Sequence, residues 1–168
     1  MTTAPIYVAK DVIPGVDEVL AAALAPAPSA LPMRGSVSGM PDVNLVDLEN
    51  PPRSGFRFDV DLQAGTISNA ALWGYGNRVT QGPGYDVRFN LTGGNGTVRG
   101  GNFSVGGLAG THTDISPGRS NTVNVTGSMG GTVQRTGTNG LNVTSGTFTY
   151  SGGGVRQSGT LSGGGALR

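Results

Sequence analysis

Apolar and polar side chains alternate through residues 56–63. Phe56, Phe58, Val60 and Leu62 stand against Arg57, Asp59, Asp61 and Gln63. A period of two puts the four apolar groups on one face of a β-strand. Ala64-Gly65 predicts a turn and residues 66–73 the returning strand. The pattern repeats where Tyr85, Val87, Phe89 and Leu91 alternate with Asp86, Arg88, Asn90 and Thr92. Here Gly93, Gly94, Asn95 and Gly96 predict the turn and residues 97–105 the return. A third hairpin is expected from residues 122–126, with Val123 and Val125 inward, turning at 127–131 and returning through 132–136. A fourth runs along 141–150, turns at 151–154 and returns through 155–161. Gly and Asn supply the positive φ that tight hairpin turns require. Four hairpins give about eight strands, which predicts an all-β fold: an antiparallel eight-stranded barrel or a sandwich of hairpins.

Before residue 56 the pattern stops. Eight of the 10 prolines fall within residues 1–55, and 27 of the 31 glycines fall after them. Proline lacks an N–H and fixes φ, so residues 1–55 read as an extended arm outside the sheet. One short helix is expected at 16–25, where Val16, Val19, Leu20 and Leu24 share a face and Asp17 and Glu18 suit its N-terminal end. A helix so short needs something to pack on, which makes that face the assembly surface of the arm. Residues 25–32 read as a polyproline-like strap. The organisation is thus an N-terminal arm, 1–55, and a Gly-rich β domain, 56–168.

Composition narrows the function. Among 168 residues there are 31 glycines, a share more than twice the usual roughly 7%. The glycines have no three-residue period, so the chain is not collagen. Without cysteine there is no disulfide framework and no thiolate zinc site. No run approaches the roughly 20 apolar residues of a membrane-spanning helix. The 12% of charged residues is about half the usual share, and a net charge of +1 gives no footprint for nucleic acid. The charge is nevertheless uneven. Residues 1–61 carry four basic and eight acidic side chains, whereas residues 62–168 carry seven and two. Opposite halves can attract within the chain or between copies. Residues 1–10 lack the basic and apolar regions of a secretory signal.

Little catalytic material is present. His112 is the only histidine, in the run Thr111-His112-Thr113-Asp114, and no motif places a nucleophile beside it. It reads as structural or exposed. Asp59 and Asp61 share the strand face opposite Phe56 and Phe58, which points them to solvent rather than to a cleft with Asp86 or Asp114. No enzyme activity, cofactor or metal is expected. The small-ligand candidates are Trp73, Tyr75 and Tyr85, aromatic residues flanking a glycine-rich loop and suited to stacking on a sugar or a partner.

Residues 56–71 (FRFDVDLQAGTISNAA), with residues 85–105 and their glycine-rich return, resemble the C-terminal β-barrel domains of transferrin-binding-protein-like bacterial surface proteins. The family's lipidated cysteine is missing here. The resemblance implies an eight-stranded barrel. The hairpin at 121–140 is polar on both faces, so its register is weakly specified and a neighbouring subunit is expected to complete it. The main expectation is therefore a non-enzymatic structural subunit of a larger assembly: a virion decoration, capsid-associated or fibre protein, or a surface-layer component. Its arm would contact neighbouring copies in a homo-oligomer, alongside other structural proteins of the particle. The alternative is a bacterial surface β-barrel that binds a glycan or a protein. Either places the chain on a virion or extracellular surface.

Overall fold

The computed structural model describes residues 31–168. The helix expected at 16–25, with Val16, Val19, Leu20 and Leu24, lies outside the described residues, as does most of the expected strap. Nine strands occur among the described residues: β1 Arg34–Asp42, β2 Val46–Leu48, β3 Gly55–Asp61, β4 Thr66–Arg78, β5 Asp86–Arg99, β6 Asn102–Ser116, β7 Arg119–Thr136, β8 Gly140–Gly152 and β9 Val155–Leu167. They form one antiparallel sheet in the order β2-β4-β3-β1-β9-β8-β7-β6-β5, and pairing of β4 with β5 closes it into a barrel. Eight strands make the wall. β2 is an extra segment that pairs with the upper end of β4, Val46 opposite Arg78 and Leu48 opposite Gly76, beyond the reach of β3. Closure leaves almost no open edge.

The inside is filled. Phe56, Phe58 and Val60 of β3 meet Leu72 of β4, Val87, Phe89 and Leu91 of β5, Phe103, Val105 and Leu108 of β6 and Phe148 and Tyr150 of β8, all buried. One aromatic cluster joins Phe58 to Phe103, and a second joins Phe89, Phe148, Tyr150 and His112. Bulky rings crowd a small barrel, and glycine makes the room. Phe89 lies directly across from Gly74, Phe56 from Gly39 and Phe148 from Gly159. A Cβ on Gly159 would sit 2.7 Å from the Phe148 ring. The outward positions of β6 to β9 are largely Ser, Thr and Asn. No helix among the described residues is long and apolar enough to cross a membrane.

The expected all-β barrel is present, with differences in how the chain builds it. Gly93–Gly96 is not a turn. It lies within β5, where Gly93 (φ 77°) and a register shift against β4 mark a bulge that bends the strand around the barrel. The chain turns instead at Gly100-Gly101. Likewise 127–131 is the middle of β7, and the flanking turns fall at 117–118 and 137–139. The glycines there admit close neighbours: a Cβ on Gly127 would press on Tyr150, 2.8 Å away. The β7 row Val125, Met129 and Val133 is buried in the core. The turns at 62–65 and 153–154 fall where expected.

Residue 55 does not mark the start of the sheet. β1 lies between β3 and β9 in the wall, and the compact unit runs from Pro32 to Arg168. Pro41 is tolerated because it lies beyond the last β1–β3 pair, Gly39 with Phe56, so no ladder partner on that side loses a donor. Pro51 and Pro52 occupy the loop between β2 and β3, joined by a cis peptide bond.

Candidate functional site

The two ends of the barrel differ. At the lower mouth Arg135 Nη2 donates to the carbonyls of Pro32 at 2.8 Å and Thr138 at 2.6 Å, beside a cavity of about 230 Å³. The upper mouth is open. It is rimmed by the turn after β1, the loop between β4 and β5, and the ends of β6 and β7. There the inward rows of β4 and β6 end in charged residues instead of apolar ones. Leu72, Gly74 and Gly76 lead to Arg78, and Leu108, Gly110 and His112 lead to Asp114. The strand period that fills the core thus delivers a cation and an anion to the same opening. Arg78 Nη2 donates to Asp114 Oδ1 at 2.8 Å, in a pair that is partly exposed.

Below this pair the chain of polar groups continues inward. His112 is fully buried. Its Nδ1 lies 2.7 Å from the Tyr150 hydroxyl. Its Nε2 lies 3.2 Å from Asp114 Oδ1, within ion-pair distance but off the line a hydrogen bond needs, and it has no other partner. We assign the tautomer from these neighbours. Nε2 carries the proton toward the carboxylate, and Nδ1 accepts from Tyr150 O–H. Burial pushes the Tyr150 pKa well above the ordinary tyrosine value; Arg78 opposes this and Asp114 adds to it. Tyr150 therefore stays a donor. Burial also acts to raise the Asp114 pKa, but Arg78 and His112 outweigh it and hold the carboxyl below its ordinary value. The arrangement is a fixed polar column, Tyr150–His112–Asp114–Arg78, of which only the last two reach solvent.

Around the pair is a cleft of about 580 Å³. Asn44, Thr80, Gln81 and Ser116 line it with neutral hydrogen-bonding groups, and Tyr85, Leu45 and Ile115 with apolar surface. Leu45 is held in a left-handed backbone conformation, φ 63°, which a branched side chain seldom adopts. It is 55% exposed, and Val79 beside it is 53% exposed. The Val79 amide donates to the Leu45 carbonyl at 3.1 Å, which ties the two rim segments together.

The three aromatic candidates separate. Tyr85 lines the upper cleft. Trp73 and Tyr75 belong to β4 and point outward. There the segment between β2 and β3 covers them. Trp73 Nε1 donates to the Pro52 carbonyl at 2.9 Å, and the Arg53 guanidinium stacks 4.3 Å above the Tyr75 ring. The Ser54 hydroxyl bonds to the Tyr75 amide and carbonyl, continuing the ladder where β3 has not begun. Tyr75 OH donates to Asp86 at 3.4 Å. The acids considered for hydrolysis lie apart. Asp59 binds Asn69, Asp61 binds Arg34 and the Ala64 amide near the lower end, Asp86 is on the outer face and Asp114 is at the upper mouth. The amide of Ala64 foremost, with help from Arg34 and against burial, lowers the Asp61 pKa. Among the described residues, no three or more His, Asp or Glu side chains converge to hold a metal.

Arg78 was invisible as a site residue in the sequence. Its signal was present, however: a charged residue at the inward phase of a strand. No family model, curated protein or solved structure matches the chain.

Proposed function

We propose that the chain is a non-enzymatic binding module, a self-contained barrel that holds a glycan or protein ligand at its upper mouth. One observation carries this reading: the inward rows of β4 and β6 end in the Arg78–Asp114 pair within an open, polar cleft rimmed by exposed Leu45 and Val79. A barrel packed solid inside carries its specific chemistry in its loops and rims. The only histidine is sealed in the core, away from any substrate.

The test is a glycan array run beside cross-linking to candidate surface proteins, with Arg78→Gln and Tyr75→Ala as comparisons. A ligand whose affinity falls at least tenfold in Arg78→Gln supports the upper mouth. Loss in Tyr75→Ala alone moves the site to the outer face.

A second reading is a structural subunit of a virion or surface layer, with residues before the barrel contacting other copies. It is favoured by the Ser/Thr/Asn-rich face of β6 to β9 and by a wall complete without any residue before Arg34. Light scattering separates the two: stable dimers or trimers that dissociate when residues 1–31 are removed favour assembly.

A further inference from the structure

The upper cleft is electrically balanced. Arg78 and Asp114 are the only charged residues in its lining, and they face each other. An anionic ligand gains Arg78 but meets Asp114, and a cationic ligand meets the reverse. Both protein contacts to Asp114 converge on Oδ1. Oδ2 accepts no hydrogen bond from the described residues, and the side chain is 44% exposed. Arg78 uses Nη2 on Asp114, leaving other N–H donors of the guanidinium for a ligand. The cleft thus offers an acceptor and donors side by side, with the buried His112 ring 3.2 Å beneath the carboxylate.

A fork of this kind fits a pair of neighbouring hydroxyl groups, each of which both donates and accepts. The rest of the lining agrees. Asn44, Thr80, Gln81 and Ser116 are short, neutral and able to serve hydroxyls in either sense. Tyr85 supplies an aromatic surface for the C–H face of a ring, and Leu45 and Ile115 an aliphatic one. The volume of about 580 Å³ lies in the range of small-ligand sites, roughly 300–1,000 Å³. We infer that the upper mouth binds an uncharged carbohydrate, with vicinal hydroxyls on Asp114 Oδ2 and Arg78 and a ring face on Tyr85. This rests on the binding-module reading and names its ligand class.

The experiment is saturation-transfer NMR and calorimetry on the full chain. The probes are the methyl glycosides of glucose, galactose and mannose, and N-acetylglycinamide as a peptide-like compound with the same donor and acceptor groups. The expected result is saturable binding of at least one glycoside at up to about 10 mM, weakened tenfold or more by Asp114→Asn and by Tyr85→Ala. Arg88→Ala, on the outer face, should leave it unchanged. Circular dichroism and urea unfolding establish that each variant is folded. Because Tyr85→Ala removes only a rim side chain, it remains informative if Asp114→Asn is unstable. Binding of the amide but no glycoside overturns the carbohydrate assignment while leaving a binding module. Binding of a glycoside insensitive to both variants also overturns it. No small-molecule binding, with a purified protein ligand held at the rim, does the same, and oligomerisation with no ligand at all overturns both readings.

Discussion

At the scale of single residues, the barrel depends on empty space set opposite rings. Gly159 faces Phe148 across the β8–β9 ladder, and a Cβ there would press on the Asp42 carbonyl oxygen and lie 2.7 Å from the ring, closer than such atoms approach. Gly159→Ala is therefore expected to destabilise the fold by about 1–3 kcal/mol through overpacking. Gly106 is the control, since a Cβ there meets nothing within 4 Å and the backbone is not left-handed. Gly106→Ala should stay within about 0.5 kcal/mol, as for an open surface position. Urea unfolding of both variants checks the contrast, and equal effects would defeat the packing account. The same logic applies to polar atoms. Tyr150→Phe removes the donor facing His112 Nδ1 at 2.7 Å and strands a buried acceptor, so it should cost about 1–3 kcal/mol. A Tyr150→Phe protein as stable as the parent would show that the Tyr150–His112 hydrogen bond contributes nothing to the fold.

At the scale of elements, the alternation of apolar and polar residues was legible and the meaning of glycine was not. β3 and β4 with their turn at 62–65, and β8 and β9 with theirs at 153–154, lie where the period of two places them. Gly93–Gly96 and 127–131 look like turns because local sequence cannot separate a glycine that reverses the chain from one that bends it or admits a neighbour. That distinction is set by the strand lying alongside, which the local pattern does not contain. Reading them as turns cut β5 and β7 short. The expected number of strands still emerged because β1, hidden by Pro41 and the surrounding prolines, supplied the eighth. The position of β1 carries a prediction. A chain beginning at Pro32 keeps every wall pairing, and its thermal midpoint should lie within about 4 °C of the full chain, roughly 1 kcal/mol for a domain of this size. A chain beginning at Phe56 loses β1 and opens the wall between β3 and β9. It is expected not to fold cooperatively, as judged by circular dichroism and calorimetry. Cooperative unfolding of the shorter chain would mean that β1 is dispensable. The candidate site was half legible for a related reason. Tyr85 could be picked out beside a glycine-rich loop, whereas the pairing of Arg78 with Asp114 joins residues 36 apart on the two strands that flank β5, which no local pattern contains.

For the whole molecule, the polar column ties stability to pH from both sides. Asp114 has its pKa held below the ordinary value in the folded barrel. The folded state therefore binds its proton less readily than the unfolded chain. Its contribution is fully present above the unfolded carboxylate value of about 4 and is lost as pH falls through the lower folded value. Tyr150 is the opposite case, its pKa raised chiefly by burial. Its contribution is present below about pH 10, the unfolded tyrosine value, and is lost as pH rises toward the folded one. Urea midpoints measured across pH should therefore fall at both extremes. In Asp114→Asn the acid limb should flatten while the alkaline limb persists. In Tyr150→Phe the alkaline limb should flatten instead, so its stability deficit against the parent shrinks above about pH 10. The limbs separate the two residues because each variant removes only one titrating group. Parallel pH profiles for all three proteins would show that the column does not couple protonation to folding, and that Arg78 and Asp114 are merely neighbours at an open rim.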